Sequence, residues 1–88
     1  MSDTRMWTVT IAFTEDDTNT RADAFLDVGP NRYQAWGRAR RNPADPDLRR
    51  VGEEIAAARA LERLVNALLG EAEHDIESFE GHTVHVHA

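Results

Sequence analysis

An α+β domain of β-β-β-α order is predicted by three observations on the chain. Apolar and polar residues alternate from Trp7 to about Arg41, in three runs separated by turn-forming residues. From Pro46 to Phe79 the apolar repeat becomes a helical one. Between the two regimes lies Gly37-Arg38-Ala39-Arg40-Arg41-Asn42-Pro43-Ala44-Asp45-Pro46-Asp47-Leu48-Arg49-Arg50, where prolines turn the backbone and positive charge concentrates. A three-stranded antiparallel meander has one apolar face and the helix one apolar stripe, so each is expected to cover the other. The 88 residues allow a single domain, 1–88, with one small core.

The first strand is expected to place Trp7, Val9, Ile11 and Phe13 on one face and Thr8, Thr10, Ala12 and Thr14 on the other. Glu15-Asp16-Asp17-Thr18-Asn19-Thr20 then offers nothing to bury and many local hydrogen-bonding oxygens, so it reads as a hairpin loop. Its acids lack the spacing of an EF-hand loop. The second strand, about Thr20 to Val28, puts Ala22, Ala24, Leu26 and Val28 inward and Arg21, Asp23, Phe25 and Asp27 outward. Gly29-Pro30-Asn31 breaks it. The third, about Arg32 to Arg41, puts Tyr33, Ala35, Gly37 and Ala39 inward and Gln34, Trp36, Arg38 and Arg40 outward. Proline does not take the positive φ of the primed two-residue turns, so a longer or bulged loop is expected between these strands.

Asp45 is placed to cap the helix, with Pro46 at its first position. Val51, Ile55, Ala58, Leu61, Val65, Leu68, Leu69, Ala72, Ile76 and Phe79 share one arc and are expected to lie against the sheet. The stripe keeps its phase across Gly70, so one helix is expected up to Phe79, with Gly81 as its stop. Such a helix is about 50 Å long against about 33 Å for a ten-residue strand. Its end, with Ile76 and Phe79, should overhang, unless Thr83-Val84-His85-Val86-His87 returns as a short C-terminal strand or a second subunit covers it.

Composition narrows the function. Ten arginines, no lysine and sixteen acids give a formal charge of -6, which argues against coating nucleic acid or anionic membrane with the whole surface. Without cysteine there is no disulfide, thiol nucleophile or Cys-based zinc site. No signal core and no apolar run long enough to span a bilayer are seen, so no membrane association and a cytoplasmic location are expected. Ser2 and Ser78, the only serines, sit in no triad context. Glu62, on the flank of the apolar arc, reads as a solvated acid. His74, His82, His85 and His87 form no closed ligand pattern, so a solvated tail is expected and no metal, cofactor or catalytic site is assigned.

Two surfaces remain as candidates for interaction. Phe25 and Trp36 are aromatics on the outer sheet face, ringed by Asp and Arg, and Ile76 and Phe79 lie at the helix end. A third candidate is charge: from Arg32 to Arg50 there are six Arg and two Asp, while the segments on either side are acidic. Arg38, Arg40, Arg41, Arg49 and Arg50 would supply anion or RNA contacts. The competing expectation is that Arg49 and Arg50 pair along the helix with Glu53 and Glu54.

Gly37-Arg38-Ala39-Arg40, the turn Asn42-Pro43-Ala44-Asp45-Pro46, then Gly52-Glu53-Glu54, Ala58-Arg59-Ala60-Leu61 and Asp75-Ile76-Glu77 resemble the small actinobacterial family known as domain of unknown function 1876. The resemblance covers nearly the whole chain. It implies a fold like that of double-stranded-RNA-binding domains, without their N-terminal helix and with no known activity. The resulting expectation is a non-enzymatic interaction or binding module that works as a homodimer or on a protein partner. RNA binding through the Arg38–Arg50 patch is the alternative.

Overall fold

The computed structural model describes residues 2–40 and 49–80, with side chains as far as Ser78. Three strands, β1 (Thr8–Glu15), β2 (Asn19–Val28) and β3 (Asn31–Arg40), precede one helix, α1 (Arg49–Glu80). The sheet is an antiparallel meander in the order β1-β2-β3. Asp45, Pro46, Arg41, the Gly81 stop, the tail histidines and the returning strand at Thr83–His87 lie outside the described residues, as does the side chain of Phe79.

The first turn is built by one carboxylate. Asp16 Oδ1 accepts the N–H of Thr18 at 2.8 Å and of Asn19 at 2.7 Å, and the Asp16 N–H donates to the Asn19 carbonyl at 3.0 Å. Those donors, Thr18 first, hold the Asp16 carboxyl below its ordinary 3.8. The second hairpin corrects the sequence reading. Val28 faces Asn31 directly, so the loop has two residues, with Gly29 at φ 57° and Pro30 after it. Only the first residue of a II′-type turn needs positive φ, which glycine supplies, and proline suits the second.

Register puts Thr20, Ala22, Ala24 and Leu26 of β2 beside Ala39, Gly37, Ala35 and Tyr33 of β3, the inward face expected from the alternation. Packing on this face departs from expectation in the helix. The residues of α1 that bury are Gly52, Ala56, Ala60 and Leu64, four apart, with Leu68 half-buried against the same core. At about 100° per residue they lie opposite Val51, Ile55, Ala58, Val65 and Leu69. Val51, Ile55, Leu61 and Val65, assigned to the sheet by the helical repeat, are 37–46% exposed. Backbone approach is the cause. A Cβ on Gly37 would stand 2.5 Å from both the Ala56 oxygen and the Ala60 nitrogen, and one on Gly52 would stand 3.1 Å from Thr20 Oγ1. At that separation only glycine and alanine fit, so the large side chains are rotated away.

The helix runs unbroken through Gly70. It lies over β2 and β3. One helix is about 10 Å wide and strands are about 4.8 Å apart, so a single helix covers two strands and leaves the third. Val9 and Phe13, on the inner row of β1, are therefore exposed, and Ile11 between them is half-buried. Trp7 falls just before β1 instead of within it, and with Met6 is among the most exposed apolar side chains.

Candidate interaction surfaces

The outer sheet face is organised by charge around its aromatics. Phe25 is paired with Gln34 and Trp36 with Asp23, which makes the two aromatics diagonal neighbours. Each is covered by guanidinium: Arg32 Cζ lies 5.0 Å from the Phe25 ring centre, and Arg21 and Arg63 lie 4.5 and 4.8 Å from that of Trp36. Asp27 and Arg32, opposite one another, form an ion pair at 2.9 Å, and Arg21 pairs with Asp23 at 3.0 Å. Phe25 is half-buried while Trp36 stays 41% exposed. The two therefore form separate cation-capped rings.

Arg63 reaches Trp36 from the other layer. It extends from α1 to the β3 edge, where its Nη1 donates to the Trp36 carbonyl at 2.7 Å; Arg59 does the same to the Arg38 carbonyl at 2.7 Å. Sequence reasoning missed both arginines, which are 21 and 27 residues from the carbonyls they meet. Their only signal was an i,i+4 spacing on the helix. The patch drawn from Arg38 to Arg50 is divided instead. Arg38 and Arg40 project on the outer face. Arg49 pairs with Glu15 of β1 at 3.0 Å, and Arg50 pairs with Glu54 at 3.3 Å as expected.

The remaining candidates are placed as follows. Ile76 is half-buried, as are Leu69 and Ala72 before it, and Glu62 is exposed. Among the described residues no three His, Asp or Glu side chains are grouped to hold a metal ion, and no helix is long and apolar enough to cross a membrane. Among the described residues, the exposed large apolar side chains of α1 are Val51, Ile55, Leu61 and Val65, with the exposed Val9 and Phe13 of β1 on the same side of the sheet.

Comparison with known proteins places this architecture. The solved crystal structure of Rv2632c superposes with a TM-score of 0.80 at 34% identity, covering 88% of this chain and 92% of that one. The uncharacterised protein Rv2632c of Mycobacterium tuberculosis is 37% identical over 70 residues, 80% of this chain and 75% of the relative. An uncharacterised protein of Mycobacterium bovis, Mb1767, is 40% identical over 72 residues, 82% of this chain and 77% of that protein. The Rv2632c-like family model matches residues 5–85. With that match across nearly its whole length, the chain belongs to the Rv2632c-like family.

Proposed function

We propose that the protein is a non-enzymatic interaction module that works by self-association, two copies meeting through the solvent ridge of α1. The observation that carries this reading is the exposure of Val51, Ile55, Leu61 and Val65 along one line of a helix whose opposite line is already packed. From Val51 to Val65 such a ridge is about 21 Å long and about 10 Å wide. Its footprint of roughly 200 Å² is extended by the half-buried Leu69, Ala72 and Ile76 further along the same side of the helix. Each large aliphatic side chain taken from half exposed to buried contributes about 1 kcal/mol.

Charge favours a second copy, packed antiparallel. The part of α1 from Arg49 to Arg63 carries four Arg and three Glu, whereas from Leu64 to Glu80 there are five acids and no Arg. A two-fold axis near Val65 sets the N-terminal part of each helix beside the acidic part of its partner. The likeness to double-stranded-RNA-binding domains belongs to this reading only as a likeness of element order.

Light scattering at micromolar concentration tests the proposal. Twice the 9.9 kDa chain mass is expected, and Val65→Glu or Ile55→Glu should give the single-chain mass with an unchanged far-ultraviolet spectrum. Trp36→Ala should leave the dimer intact. A single-chain mass for the unaltered protein up to about 100 µM would defeat the reading.

A further inference from the structure

The β3 edge gathers positive charge that the fold does not neutralise. Arg21 and Arg38 are direct cross-strand partners on the outer face, a like-charge pairing that costs stability. Among the described residues, Arg38, Arg40, Arg59 and Arg63 form no ion pair with a carboxylate. Arg59 and Arg63 each give one N–H to a β3 carbonyl. That fixes the guanidinium at the edge and leaves most of its five donors for another acceptor. Capping edge carbonyls would by itself explain two arginines. It does not explain Arg38 and Arg40 beside them, nor two guanidinium groups on one exposed indole.

We infer that the β3 edge is a binding site for a linear phosphate polyanion, held by Arg38 and Arg40 on one side, Arg59 and Arg63 on the other, with Arg21 and Trp36 beside the track. The spacing argues for a chain. Arg38 and Arg40 are one strand repeat apart, about 6.8 Å, and Arg59 and Arg63 about one helical turn, roughly 6 Å. Two rows of cations repeated at that interval flank an open edge. A hollow of about 240 Å³ on this face is open to solvent and lined by Thr14, Asp16, Asn19, Arg21, Trp36 and Arg38. An open, repeating track suits a phosphate backbone better than an enclosed small molecule. The net charge of -6 keeps such binding local to this edge.

The test is fluorescence anisotropy with a labelled oligothymidylate of about 15 nucleotides, and inorganic polyphosphate as competitor. Four phosphate contacts predict binding that weakens roughly 50-fold from about 50 to about 200 mM salt. Arg38→Gln/Arg40→Gln, both on the exposed face, should lose at least about 10-fold, while Arg49→Gln/Arg50→Gln should bind as the unaltered protein does. In a Trp7→Phe background the emission of Trp36 should change on binding, because its flanking guanidinium groups engage the ligand. Equal competition by polyphosphate would identify the phosphate chain alone as the ligand, and tighter binding of the oligonucleotide would add base contacts at Trp36; either supports the site. No binding at low salt, or an equal loss in both double variants, would overturn it. Because the track is on β3 and the self-association ridge is on the far side of α1, Val65→Glu should bind the oligonucleotide normally.

Discussion

The two long sides of α1 use apolar residues in opposite ways. The side against the sheet carries Gly52, Ala56 and Ala60 before its first large residue, Leu64, and is buried. The side facing water carries Val51, Ile55, Leu61 and Val65. Transfer of apolar area alone would have chosen the second side for the core. Close packing of backbone on backbone chose the first, since it brings helix peptide atoms within reach of Gly37 with no side chain between them. The difference teaches that a strong apolar stripe identifies a surface that will be buried somewhere, and that the somewhere need not be the same chain.

The sharpest way to break this comparison is Gly37→Ala. Its methyl group would stand 2.5 Å from helix backbone atoms that have no rotamer to adjust, so the helix must lift along its whole small-residue line. A loss of about 3 kcal/mol or more is expected in urea unfolding. A near-neutral result would mean that the helix does not approach this closely.

Neighbouring residues sharpen the contrast with a smaller effect. Leu64 is 3% exposed and Val65 is 46% exposed, although they are adjacent in the chain. Leu64→Ala should cost about 2–4 kcal/mol, and Val65→Ala within about 0.5 kcal/mol in protein dilute enough to be monomeric. If Val65→Ala proved the more costly of the two, the assignment of inner and outer sides would be reversed.

The smallest effect lies at the far end of the sheet, in the Asp16 turn. Its carboxyl is held below the ordinary 3.8 by the Thr18 and Asn19 N–H groups, so it stabilises the fold above the unfolded value, and that contribution is lost as pH falls through the lowered folded value. Asp16→Asn should lower the thermal midpoint slightly at neutral pH and flatten its decline in acid. Melting curves from about pH 7 to about pH 2 check this, and an unchanged acid decline would assign it to other carboxylates.

Much of the fold was legible in the chain because it depends on local chemistry. Alternation alone separates Ala22, Ala24 and Leu26 from Arg21, Asp23 and Phe25, and the structure keeps that division. The turn at residues 16–18 was readable from its polar oxygens, but Glu15, Asn19 and Thr20 of the same run belong to the strands and Thr20 is fully buried; helix continuity through Gly70 was readable from the phase of its stripe. The Gly29-Pro30 hairpin was misjudged because one positive φ, not two, was needed. The candidate surfaces were harder. Trp36 was found, but the guanidinium groups on its ring come from two other elements, β2 and α1.

By itself, then, the sequence determined the order β-β-β-α, the two faces of the sheet and the existence of one long amphipathic helix, all of which follow from periodicity within single segments. Only the tertiary structure decided which side of that helix meets the sheet, that Val9 and Phe13 of β1 stay exposed, and that Arg59 and Arg63 reach the carbonyls of β3. Periodicity assigns residues to sides of an element, but the choice between sides rests on how closely two backbones approach. That distance is set by Gly37 together with Ala56 and Ala60, which lie 19 and 23 positions further along the chain, where no local pattern relates them to it.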